Sequence, residues 1–147
     1  MRVDATGFFA AVHACGDAMA AKKSGSIVTL SSQMGTVDMN PFRYEGTPPT
    51  VAPDYFFPKG SMTNLTRYLA SHYGASGVRI NVVSPSGIDN PAKPPAPEIL
   101  ARYAKMTMLG RRAEAREIGG SVGFLLSEAS TAITGANLAG DRGYSAK

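Results

Sequence analysis

Tyr55-Phe56-Phe57-Pro58-Lys59 sets a phenol and an ammonium four residues apart. On a helix those two side chains share one face. An ammonium beside a phenol favours the phenolate, so the pair has the elements of a general acid/base. A hydroxyl such as Ser32 is suited to hydrogen-bond a substrate oxygen and hold it beside the phenol. The spacing alone describes an ordinary surface pair equally well. Its meaning depends on the elements that carry it.

Those elements follow from hydrophobic period and from breakers. Phe8, Val12, Cys15 and Met19 recur at three- to four-residue steps and predict a helix from Ala5 to about Lys22, stopped by Ser24-Gly25. Cys15 is thereby assigned to the core rather than to a reactive thiol. Ser26 to Ser31 is a β-branched run and reads as a buried strand. Residues 33–54 hold Pro41, Pro48, Pro49 and Pro53 with Gly35 and Gly46, and read as loop. A second helix is predicted from about Asp54 to Tyr73, with Met62, Leu65, Leu69 and Tyr73 on one face. Pro58 lies inside it and removes a backbone donor, which fits only a helix that starts near Asp54. Val78 to Val83 reads as a strand ended by Pro85, and residues 86–97 are a proline-broken loop. An amphipathic piece from Glu98 to Met106, a helix from Glu114 to Ser127 and a short strand within Ala132 to Leu138 complete the chain. Strands alternating with helices imply an α/β fold, a parallel sheet of about three strands with helices on both faces. The strand ending at Ser31 has the composition of a central strand, so it needs a neighbour on each side or leaves an edge exposed.

The 147 residues fit one domain, and 44% hydrophobic content is globular. Net charge is 15 − 11 = +4 with the basic residues scattered, which argues against nucleic-acid binding. The small cluster Arg111, Arg112 and Arg116 reads as a solvated helix start. One cysteine excludes an internal disulfide and suits a reducing compartment, and with only His13 and His72 beside it no zinc pattern forms. No stretch reaches the length of a membrane span, so the expectation is a cytoplasmic protein without membrane contact.

The order of these features carries more than any one of them. After the helix and Gly25 come Ser26 to Ser32 and Gly35. Tyr55 and Lys59 then open the next helix, which leads from Gly74 to Val78-Arg79-Ile80-Asn81-Val82-Val83-Ser84-Pro85. Leu109-Gly110-Arg111, Phe124-Leu125-Leu126-Ser127 and Ile133-Thr134-Gly135-Ala136-Asn137-Leu138 follow. In this order the chain resembles the short-chain dehydrogenase/reductase family over essentially its whole length. The resemblance implies the C-terminal half of a doubly wound Rossmann-like parallel sheet. It also implies an oxidoreductase that moves a hydride between NAD or NADP and a small carbonyl or alcohol. Ser32 would orient the substrate, Tyr55 would handle the proton, and Lys59 would assist Tyr55 and bond the nicotinamide ribose. Pro85, Ser86, Gly87 and Ile88 would meet the carboxamide, with Asn90 near the position of a cofactor-contacting hydroxyl. The helices through Phe8 to Met19 and Met62 to Tyr73 match the pair that relatives use to form homo-oligomers. Tyr44 to Pro48 and Asn64 to Ala70 look like a subgroup linked to surface-polysaccharide and nonulosonate sugars. A polar loop with Arg43, Tyr44 and Glu45 suits a sugar-like substrate.

The chain also departs from the family. It holds no Gly-x-x-x-Gly-x-Gly after a strand, the turn that seats the cofactor pyrophosphate. Residues 1–147 therefore read as a partial domain, the catalytic half without the glycine-rich half. Asp4, in the segment Val3 to Gly7, stands where the family has an asparagine; Ser86 interrupts a Pro-Gly pair; Asp141-Arg142-Gly143-Tyr144 replaces Asp-Gly-Gly and an aromatic. These departures admit a second reading, a non-catalytic remnant that acts through self-association or a partner.

Overall fold

A computed structural model describes residues 2–38, 40, 42, 45–46 and 53–147. Its sheet has three parallel strands in the order β1-β2-β3: β1 is Gly25–Leu30, β2 is Val78–Pro85 and β3 is Asn137–Gly140. Gly25 pairs with Val78 and Leu30 with Val83, while Val82 to Pro85 pair with Asn137 to Gly140. The helices are α1 (Phe8–Ala21), α2 (Pro53–Gly74), α3 (Pro97–Met106) and α4 (Ala115–Leu126). A short π-helical segment, Arg2–Gly7, runs straight into α1. Among the described residues, no helix is long and apolar enough to cross a membrane.

Each face of the sheet has its own core. Ile27, Val78 and Ile80 pack with Val12 of α1 and with Leu65, Leu69, Ala70 and Tyr73 of α2. On the other side Val28, Val83 and Leu138 pack with Ile118, Val122 and Leu125 of α4. Consecutive residues of one strand thus serve opposite cores, as the two-residue strand period requires. β2 is buried almost throughout, the pattern of a strand covered on both faces with a neighbour on each edge. Among the described residues β1 pairs only with β2, and Leu30 at its end is 52% exposed.

The expected elements are all present, with ends shifted by a few residues. The last strand starts later than its composition suggested, at Asn137. Two burial expectations fail: Cys15 is exposed, and β1 is only half-buried over most of its length. The inward stripe of α1 passes through Gly16, where an added Cβ would come within 2.6 Å of the Tyr73 ring. The Tyr73 hydroxyl donates to Asp17 Oδ1 at 2.7 Å and ties α1 to α2. Burial, reinforced by Asp17, pushes that phenol up to about 12, so it stays a donor.

α4 starts from an ionic knot. Glu117 accepts two hydrogen bonds from Arg111, at 2.9 and 2.7 Å, and one from Arg142 Nη2 at 2.8 Å. It also accepts the Glu114 N–H at 2.8 Å, closing a capping box. The Arg111 bonds first, then the Glu114 N–H, hold the Glu117 carboxyl well below its ordinary 4.5, and Arg142 adds to the effect. A carboxyl whose native pKa lies below its unfolded value stabilises the fold above that value and loses the contribution as pH falls. The urea midpoint should therefore fall as the pH drops below about 5. Glu117→Gln should lower the midpoint at pH 7 and flatten that acid limb; parallel curves for the two proteins would contradict the assignment.

Candidate active site

Ser31 and Ser32 leave the end of β1, and Ser31 extends the pairing one step by donating its N–H to Val83 O at 2.9 Å. The chain then makes a tight 3-10 turn, Gln33–Gly35, capped by Ser32, whose Oγ accepts the Met34 N–H at 3.2 Å. This turn lies directly on α2. An added Cβ on Gly35 would sit 2.5 Å from the Lys59 carbonyl oxygen, so only glycine allows the approach. Ser31 Oγ donates to that same carbonyl at 2.7 Å. The Lys59 ammonium reaches back to Leu30 O at 3.3 Å and lies 5.6 Å from the centre of the Tyr55 ring. Tyr55 and Lys59 therefore share the helix face their spacing predicted, beside the strand end that carries Ser32. Tyr55 is 41% exposed, open to a ligand, whereas Ser32 is buried. Pro58, one turn into α2, withholds the N–H that would reach the Asp54 carbonyl, and its ring is fully buried instead.

The second group expected at the site follows β2. Pro85 is the last residue of that strand, and residues 86–90 are pinned from one side. Gly87 donates its N–H to Tyr103 Oη and accepts the Ala113 N–H at 2.9 Å, while Asp89 N–H donates to Ala113 O at 2.7 Å. Ile88 and Ala113 form a parallel bridge, and Arg112 Nη2 donates to Ile88 O. Arg112 also lies 3.4 Å from Asp89 and 5.9 Å from the centre of the Tyr103 ring. A Cβ on Gly87 would approach Tyr103 and Arg112 at 3.0 to 3.1 Å. Asn90 is exposed, and its Oδ1 accepts the Ala92 N–H at 3.1 Å in a local turn. Ser86 Oγ is buried with no hydrogen-bond partner among the described residues.

Neither Tyr103 nor Arg112 stands out in the sequence. Arg112 belongs to a cluster that reads as a solvated helix start, a description that suits exposed Arg116, yet its side chain is only 14% exposed. The available signal was Gly87, two residues after Pro85, where an added Cβ would meet Tyr103 and Arg112. Asp4 is exposed, on the π-helical segment that packs against α2. Arg43 and Tyr44 of the long loop lie outside the described residues.

Known proteins share this arrangement of elements. A family model described as enoyl-(acyl carrier protein) reductase matches residues 1–145. Galactitol 2-dehydrogenase (L-tagatose-forming) of Cereibacter sphaeroides is 36% identical over 147 residues, which is 98% of this chain and 55% of the relative. The short chain dehydrogenase of Leptospira borgpetersenii, solved with bound NAD+, superposes with a TM-score of 0.84 at 29% identity, over 97% of this chain and 53% of that one. A gluconate 5-dehydrogenase of Burkholderia cenocepacia, in complex with NADP and tartrate, gives 0.86 at 26% identity, over 100% and 55%. The chain belongs to the short-chain dehydrogenase/reductase family. It spans about half the length of the relatives it matches, between 53% and 55% for these three.

The pinning of residues 86–90 is testable without a ligand. Tyr103→Phe removes the acceptor of the half-buried Gly87 N–H and should cost about 1–3 kcal/mol in urea unfolding. Hydrogen exchange at Gly87 and Asp89 should accelerate more than at α1; uniform acceleration across the chain would refute a local clamp.

Proposed function

We propose that the protein carrying this chain is an NAD(P)-dependent oxidoreductase that interconverts a secondary alcohol and a ketone on a small, hydroxyl-rich molecule. The observation that carries this reading is the double attachment of Lys59, by backbone and by side chain, to the strand end holding Ser32. That tie supports a reading in which an ammonium, a phenol and a hydroxyl serve one substrate.

In the oxidative direction, Ser32 donates to the substrate oxygen. Its Oγ already accepts from Met34, so its own hydrogen is free for that bond among the described residues. Tyr55 takes the hydroxyl proton, and Lys59 stabilises the negative charge on the oxygen while that proton is exchanged. A nicotinamide held there would supply the hydride acceptor for the carbinol carbon and, in reverse, the hydride donor for the carbonyl. One proton and one hydride leave the alcohol together, and the ketone remains.

The residues present fit the nicotinamide end of such a cofactor. Buried Ser86 Oγ, on the loop that the family resemblance assigns to the carboxamide, lacks a partner among the described residues. That loop is held from behind by Tyr103 and Arg112, as a rigid contact surface requires. Tyr55 and Lys59 would hold the ribose side, and Pro85 to Ile88 with Asn90 the amide side. The relative named for galactitol and the neighbour solved with tartrate support a polyhydroxylated substrate. Exposed Phe9 on α1 with Phe57 and Tyr68 on α2 supports self-association through those helices. A reducing, cytoplasmic setting suits the exposed single cysteine.

The test uses the protein expressed from its full reading frame. NADH or NADPH binding by calorimetry, with turnover of a polyol, is the expected result; neither binding nor turnover would sink the enzymatic reading. Tyr55→Phe should lower kcat by roughly 10²–10⁴-fold while leaving cofactor affinity within a few-fold. Unchanged turnover would mean that Tyr55 does not carry the proton.

A further inference from the structure

We infer that His13 and His72 together bind one borderline transition-metal ion, of the class of Zn2+, which clamps α1 to α2. The inference stands apart from the oxidoreductase reading and shares no residue with the candidate active site.

No ligand spacing connects the two histidines in the sequence, because they lie on different helices. The fold brings them together on an exposed face, with ring centres 6.5 Å apart and planes inclined at 40°. A ligating imidazole nitrogen sits about 2.0–2.1 Å from zinc, so two imidazoles on one ion have ring centres roughly 5–6 Å apart. A small side-chain rotation covers the difference. Both rings stand edge-on to Tyr73, His72 at 4.6 Å and 82° and His13 at 6.1 Å and 84°. Tyr73 is buried and so gives both imidazoles a fixed wall. Tyr68 stacks on His72 with ring centres 6.2 Å apart.

The hydrogen bonds behind His13 are those of a metal ligand. Its Nδ1–H donates to Asp17 Oδ2 at 3.0 Å, and Asp17 Oδ1 accepts the Tyr73 hydroxyl at 2.7 Å. Donation from Nδ1 to a carboxylate fixes the tautomer and leaves the lone pair on Nε2, the atom that ligates. Asp17 thus orients His13 and is itself committed at both oxygens. Among the described residues, no three of His, Cys, Asp and Glu surround a metal position, so the chain supplies two ligands and water fills the rest. Two imidazoles select Zn2+, Ni2+ or Cu2+ over the oxygen-seeking Mg2+ and Ca2+. Only the folded chain holds the two rings together, so the ion stabilises the native state.

The experiment titrates zinc chloride by calorimetry into the protein expressed from its full reading frame, without a polyhistidine tag. His13→Gln and His72→Gln should each weaken zinc binding by roughly tenfold or more, and Asp17→Asn by about 10- to 100-fold. Zinc should also raise the urea midpoint of the wild type and leave that of His72→Gln unchanged. Both histidines are exposed, so the metal-free unfolding curves of their variants should match the wild type and report that they are folded. Exposed Cys15 is the control for a thiolate site, and Cys15→Ser should bind zinc within about two-fold of the wild type. Magnesium chloride should give no binding heat. Zinc affinity unchanged in both histidine variants, or lost in Cys15→Ser, overturns the proposal. So does magnesium bound as tightly as zinc, or a wild-type protein that binds no zinc.

Discussion

The Lys59 carbonyl oxygen is the point on which the rest of the site depends. Ser31 bonds it, Gly35 passes close enough that no side chain would fit, and the ammonium of the same residue returns to Leu30. Strand end and helix are therefore joined twice, through the main chain and through a side chain. Tyr55 lies one helical turn earlier on the same rigid helix and inherits this placement.

A similar economy governs the sheet. β2 is the only strand with a neighbour on both edges among the described residues, and its buried side chains feed both cores. β1 carries the same kind of sequence, with Ile27 and Val28 committed to opposite faces, but it pairs on one side only. Its outer edge presents unpaired backbone groups and ends in an exposed Leu30. Such an edge is a template for another strand, and nothing in its residues blunts it: it has no lysine, proline or inward charge. The central-strand composition of β1 is informative about what the strand is suited to, beyond its one pairing with β2.

What could be read from the sequence had residue identity to carry it. Helix and strand periods placed the four α-helices and three strands but not the short π-helical and 3-10 segments, and the order of Ser32, Tyr55 and Lys59 among glycine and proline landmarks pointed to the candidate site. What could not be read runs through groups common to all residues. The carbonyls of Lys59, Leu30 and Ile88 and the N–H of Gly87 hold the site together, and no side-chain type announces them. Cys15 reads as core for a related reason. The stripe of α1 continues through Gly16, which carries no apolar signal because the Tyr73 ring from α2 supplies the bulk. Arg112 reads as solvated because it sits in a cluster of charge, whereas a guanidinium can serve a buried carbonyl and stack on a ring.

The departures from the family ending acquire a physical sense in the same terms. Arg142 stands at φ 58°, a left-handed conformation that costs a side-chain-bearing residue roughly 1–2 kcal/mol. Its carbonyl accepts the Met108 N–H at 2.9 Å, and its nearly buried guanidinium reaches Glu117 at the start of α4. Asp141 before it bonds the N–H groups of Gly143 and Ser145, and Tyr144 stacks on Tyr103 with ring centres 6.2 Å apart. Tyr103 in turn holds Gly87. A glycine at position 142 would relieve the backbone but remove one of the two arginines that grip Glu117. The left-handed arginine thus exchanges local strain for a connection from the C-terminal segment, through α3 and α4, to the residues that follow β2.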